Sequence, residues 1–169
     1  MSAKKRVFAN MRILLIDDQP VAMQYYIQAL KLEDFDVDVV DNAVDAFVRL
    51  ADPNLAVDCV VLDMMMAPGK YIENEEHNEG LKTGIFLYRQ LIQPNDLDGV
   101  ILDGPTRSNI PVAVLTNVTD PDTLRLLAKS QQELDPDGAL RIWPKMDTSP
   151  MSFADQLARW LGTLRSRSS

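Results

Sequence analysis

Apolar runs of four or five residues alternate with stretches of helical periodicity along most of the chain, and that alternation leaves few folds open. Strands that are apolar throughout have to be buried on both faces, which calls for helices above and below a parallel sheet. The runs lie at residues 12–16, 37–40, 59–62, 112–115 and 140–143; those at 13–16, 59–62 and 112–115 are apolar throughout, and Asp38 and Arg141 interrupt the other two. Pro20 suits a first helical turn, and Met23, Tyr26, Ile27 and Leu30 then follow at i, i+3, i+4 and i+7 on one helix face. Ala43, Ala46, Phe47 and Leu50 repeat that spacing behind a cap at Asp41 or Asn42. Ile85, Tyr88 and Ile92 mark another helix, and Asp120 with Pro121 opens one whose inner face carries Leu124, Leu127 and Ala128. Ser149 and Pro150 open the last, with Phe153, Leu157, Trp160, Leu161 and Leu164. Five such units predict an α/β fold with a doubly wound, five-stranded parallel sheet, whose crossovers are right-handed.

Length and charge narrow the function classes. At 169 residues the chain fits a single domain, expected over 11–164, between a basic N-terminal tail at 1–10 and a C-terminal tail at 165–169. With 46% hydrophobic and 25% charged residues it can bury a full core, so a disordered chain or a disulfide scaffold is excluded. No charge-free apolar run approaches the ~18 residues that cross a bilayer, so no membrane partner and a cytoplasmic location are expected. The net charge is -8, and Lys4, Lys5, Arg6, Arg165 and Arg167 stand in the terminal segments, so the body is more acidic still. A nucleic-acid partner needs a basic face and is not expected. The single Cys59 excludes an internal disulfide and a cysteine-bound zinc.

Ligands of doubly wound sheets bind beyond the carboxyl ends of the strands. Here those ends carry Asp17 and Asp18 after the first strand, Asp63 after the third, Thr116 after the fourth and Lys145 after the fifth. An aspartate ending a strand is often only a cap or turn former. Three carboxylates on one edge, however, repel one another, and a hard divalent cation such as Mg²⁺ relieves that better than zinc. A cation site beside one lysine also suits phosphoryl transfer, which is mostly positioning and charge neutralisation, with a carboxylate able to act as nucleophile. His77 reads as loop filler in a glutamate-rich stretch. Met64, Met65 and Met66 read as pocket wall.

Asp17-Asp18-Gln19-Pro20 after an apolar strand, Val60-Val61-Leu62-Asp63-Met64, Val114-Leu115-Thr116, and Lys145 after the fifth strand occur in that order. Together they resemble the receiver domain of two-component response regulators, of the CheY-like superfamily, over most of residues 12–164. The resemblance implies a flavodoxin-like strand order 2-1-3-4-5 and a phosphoacceptor signalling protein rather than an enzyme. It implies Asp63 as the residue phosphorylated by a sensor histidine kinase or a phosphotransfer protein. Asp18, Asp63 and the backbone carbonyl of Met65 would hold Mg²⁺, with Asp17 acting through water. Lys145 would pair with Asp63 and later with the phosphoryl group, and Thr116 would donate to a phosphoryl oxygen. Output is expected through a separate downstream protein, a phosphorelay or a homodimer.

The chain also departs from the family's pattern. Met146 stands where the family has a proline with a cis bond, so the Lys145–Met146 bond is either trans or cis without proline. Ile142 stands at the aromatic switch position, with Trp143 beside it, and Asn117 replaces a small residue after Thr116. Met65 and Val118 occupy the positions that flank the path of a hydrolytic water, and neither side chain orients a water well. Polar inserts near 67–82 and 94–109 interrupt the five-unit pattern and are expected to carry partner specificity. These changes keep a rival in view: a pseudo-receiver that binds partners without phosphorylation. An aspartate-nucleophile hydrolase would want a second acid where Met65 stands, and a dinucleotide enzyme a glycine-rich turn where Asp17-Asp18-Gln19 stands.

Overall fold

The computed structural model describes residues 11–52, 54–65, 84, 87, 110–134 and 140–167. Strands β1 (Arg12–Ile16), β2 (Asp36–Val40), β3 (Cys59–Leu62), β4 (Val112–Thr116) and β5 (Leu140–Pro144) form one parallel sheet. Their order is β2-β1-β3-β4-β5, as expected for a doubly wound sheet of the flavodoxin-like kind. The helices among the described elements are α1 (Gln24–Leu32), α2 (Ala43–Ala51), α3 (Pro121–Leu134) and α4 (Pro150–Arg167). Both inserts, the helical face of Ile85, Tyr88 and Ile92, His77 and the N-terminal tail lie outside the described residues, although Gly84 and Leu87 are helical.

Strand alternation divides the core in two. Ile13, Leu15, Cys59, Val61, Ala113, Leu115 and Trp143 face α1 and α4, where they meet Met23, Tyr26, Ile27, Leu30, Phe153 and Leu157. Leu14, Ile16, Val60, Leu62, Val112 and Val114 face the other way, toward Ala46, Leu87 and Leu127. The three inner strands are buried on both faces, which is why their sequences carry no polar alternation.

Local chemistry accounts for the helix ends. The Asn42 side chain accepts a hydrogen bond from the Asp45 amide at 2.9 Å, capping α2. Asp120 caps α3 by accepting from the Thr123 amide at 2.8 Å and the Thr123 hydroxyl at 2.7 Å. Those bonds, the hydroxyl first, hold the Asp120 carboxyl below its ordinary range. Burial corrects one sequence expectation: among the described side chains of α3, Thr123 and Leu127 are buried, whereas Leu124 and Ala128 are exposed. Asp120 itself is exposed; the residue it holds, Thr123, is the one that turns inward. At the other end of the chain, α4 continues to Arg167, so Arg165 and Arg167 lie in its last turn instead of in a tail. There their charge complements the helix C-terminus.

Candidate phosphoacceptor site at the strand ends

Register brings the acidic residues together. Ile16 pairs with Leu62 across β1 and β3, so the next residues, Asp17 and Asp63, leave the sheet side by side. The ladder continues one step further, with the Asp63 amide donating to the Ile16 carbonyl at 2.9 Å and the Asp17 amide to the Val40 carbonyl at 3.1 Å. On the other side Thr116 pairs with Pro144, which delivers Lys145 to the same edge.

The Lys145 ammonium lies between the two carboxylates. It donates to Asp17 Oδ2 at 2.8 Å and to Asp63 Oδ2 at 2.9 Å. Asp17 and Asp63 are only 2% and 7% exposed, so both charges are held away from bulk water. Their remaining oxygens accept backbone hydrogen bonds, Asp17 Oδ1 from the Gln19 amide at 2.8 Å and Asp63 Oδ1 from the Met65 amide at 3.1 Å. Thr116 is buried and its hydroxyl accepts from the Val118 amide at 3.2 Å, leaving its own hydrogen available to donate.

Burial pushes the Asp63 carboxyl above its ordinary range, and the Lys145 ammonium offsets this only in part. For Lys145 burial acts downward, but attraction to Asp63 and Asp17 and the bonds to both prevail, and its ionisation is displaced upward. The two shifts pull oppositely on one ion pair. Two short charge-assisted bonds from a single nitrogen favour the lysine's direction, a charged ammonium held by two carboxylates.

Asp17, Asp63 and Lys145 are thus in direct contact, with Thr116 at the end of the next strand. Asp18 is half-buried beside Asp17. Met65 enters through its amide, which bonds Asp63. In chemistry the carboxylate set fits a hard divalent cation. Among the described residues, however, no three acidic, cysteine or histidine side chains surround a common point that could hold a metal ion, and the lysine takes one oxygen from each of two acids. A cleft of about 510 Å³ lies elsewhere, lined by Pro20, Val40, Asp41 and Arg49 among others, and includes none of the site residues.

The described residues contain no cis peptide bond, so Lys145–Met146 is trans. Lys145 opens a short 3₁₀ turn, Lys145–Asp147, and Met146 is 79% exposed. Ile142 packs against the α2 and α3 side of the core and Trp143 against the α1 and α4 side, because adjacent strand residues point to opposite faces. Trp143 cannot therefore stand in for an aromatic at 142. Its ring nitrogen donates to Gln156 Oε1 at 3.0 Å, and it meets Phe153 and Trp160 edge-on at 5.3 and 5.6 Å between centroids. Val118, expected beside the water path, is buried, while Met65 is 37% exposed.

The sequence reading missed two contributors. A side-chain carbon on Gly84 would run into the backbone carbonyl and Cα of Met64, so only glycine lets that helical segment approach the residue after Asp63. Its signal was a glycine opening a helical pattern. The other is Tyr26, whose hydroxyl donates to the Thr148 carbonyl at 2.8 Å across 122 positions in sequence, a contact no local pattern reveals.

No protein-family model matches the chain, and no curated protein matches it. Solved structures do. A CheY-like response regulator receiver domain protein from Methanospirillum hungatei JF-1 superposes with a TM-score of 0.61 at 11% identity, covering 94% of this chain and 99% of that one. The fold is that of a receiver domain. The non-phosphorylated HemR receiver domain from Leptospira biflexa gives a TM-score of 0.59 at 22% identity, covering 89% and 94%. A response regulator receiver domain protein from Clostridium thermocellum gives 0.58 at 20% identity, covering 94% and 96%. At these identities the likeness is one of receiver architecture. Among the described residues, no helix is long and apolar enough to cross a membrane.

Proposed function

We propose that the protein is a response regulator that accepts a phosphoryl group on Asp63 from a histidine kinase or phosphotransfer protein and passes the signal to a separate partner. The observation that carries this reading is the Lys145 ammonium shared between Asp17 and Asp63 on the carboxyl edge of a receiver-fold sheet. A charged lysine beside Asp63 keeps that carboxylate ionised, as a nucleophile must be. Asp63 would attack the phosphorus of a phosphohistidine; the P–N bond breaks as the O–P bond of an acyl phosphate forms, and the imidazole leaves with the electron pair. Lys145 would follow the new negative charge, and Thr116 would donate its hydroxyl hydrogen to a phosphoryl oxygen. That last bond exists only in the modified state, so it biases a two-state equilibrium of the loop after β4. Asp17, Asp18, Asp63 and the Met65 carbonyl would hold Mg²⁺, which when bound neutralises phosphoryl oxygens.

A second reading, a phosphorylation-independent interaction module, is favoured by the altered surroundings of the site, where Met146, Ile142 and Asn117 replace the family's proline, aromatic and small residue. Incubation with acetyl phosphate and Mg²⁺ followed by intact mass separates the two. Addition of one phosphoryl group, lost in Asp63→Asn, supports the first reading; no mass change, or equal labelling of Asp63→Asn, overturns it. We place the protein in the cytoplasm on this reading, where such kinases deliver their phosphoryl groups.

A further inference from the structure

Lys145 has to hold its ammonium between two buried acids from a short and poorly supported turn. Within the turn, the Thr148 amide reaches the Lys145 carbonyl at a long 3.5 Å, and exposed Met146 adds no packing. The support comes from across the fold. Thr148 is buried, and its carbonyl accepts the Tyr26 hydroxyl at 2.8 Å. Tyr26 lies on α1, the helix that follows the Asp17–Asp18 loop, so one side chain links the acid-bearing end of β1 to the lysine-bearing end of β5. Its ring meets Phe153 edge-on at 5.9 Å, and the Phe153 amide donates to Ser149 at 2.8 Å, fixing the start of α4 just beyond the turn. Burial holds the Tyr26 phenol above its ordinary range, and the Lys145 ammonium acts in the opposite sense.

We infer that Tyr26 is a positioning residue: through its hydrogen bond to Thr148 it fixes the trans Lys145–Asp147 turn so that the ammonium is shared between Asp17 and Asp63. The consequence for phosphate signalling rests on the function proposed above, but the positioning itself does not. A tyrosine that merely fills the core would need only its ring. The hydroxyl is what reaches the turn.

The test is solvent exchange of the Lys145 ammonium protons, read from spectra of the full chain with ¹⁵N-labelled lysine. In the wild type these protons should exchange far more slowly than those of exposed Lys31. Tyr26→Phe keeps the ring and removes the bond, and should speed Lys145 exchange by about tenfold. Phe153→Leu loosens the ring contact but keeps the hydroxyl, and should leave exchange within about twofold of wild type. Unchanged exchange in Tyr26→Phe, an equal rise in Phe153→Leu, or wild-type exchange as fast as that of Lys31 would each overturn the inference. No phosphate is needed, so a wild type that fails to label while Tyr26→Phe frees Lys145 would refute the phosphoacceptor reading and leave the positioning role standing.

Discussion

Replacing Lys145 by methionine should make the stability of this protein strongly dependent on pH. The ammonium contacts Asp17 and Asp63 at 2.8 and 2.9 Å, and both acids are buried. Lys145→Met keeps much of the side-chain volume but leaves two carboxylates facing each other. Oxygens bonded to one nitrogen are within about 6 Å of each other, where two like charges repel by about 3 kcal/mol at an effective dielectric constant of about 20. That agrees with the cost of about 3–5 kcal/mol for removing one partner of a buried ion pair. The sign with pH follows from burial of Asp63, which acts to raise its carboxyl and has no offsetting cation once Lys145 is gone. A carboxyl raised in the folded state gives stability that is largest below its unfolded value and falls as pH rises through the folded one. Urea unfolding of Lys145→Met should therefore show a loss of about 3 kcal/mol near pH 8 and about half of that near pH 5. Adding Asp63→Asn should restore most of the loss near pH 8. Equal losses at both pH values, or no recovery with Asp63→Asn, would refute an electrostatic role for the clamp.

Thr116→Ala should still accept phosphate on Asp63 but show a weaker amide-shift response to it, and equal responses in both proteins would count against the proposed hydrogen bond. Gly84→Ala forces a carbon into the Met64 backbone and should cost about 1–3 kcal/mol in urea unfolding. Asp34, at φ 66° just past α1, holds a left-handed conformation that glycine adopts freely, so Asp34→Gly should stabilise by up to about 1 kcal/mol. Met65→Asn places a water-orienting amide near Asp63 and should speed loss of phosphate by about tenfold, or ~1.4 kcal/mol of barrier. Val118→Glu should instead destabilise the protein, because Val118 is buried, and its unfolding midpoint should fall.

Much of the architecture was legible because it rests on local regularities. Short apolar runs and faces at i, i+3, i+4 placed the five strands and the faces of α1, α2 and α4 close to where they occur. The order of Asp17, Asp63, Thr116 and Lys145 at strand ends was enough to name one edge, because parallel strands deliver their carboxyl ends together. Apolar spacing alone misread one helix face: Thr123, bonded to Asp120, is buried on α3, whereas Leu124 and Ala128 are exposed.

What only the tertiary structure decided is which groups touch. Nothing in the chain order says that Lys145 would share itself between Asp17 and Asp63, 128 and 82 positions away, or that Tyr26 would reach Thr148. Nor does the order show that Ile142 and Trp143 enter different halves of the core, or that Gly84 presses on Met64. Period and propensity act over a few neighbouring residues and are written in the chain itself. Ion pairs, close approaches and the direction of a helix face depend on strand register and helix packing, which arise only when distant segments are buried against one another.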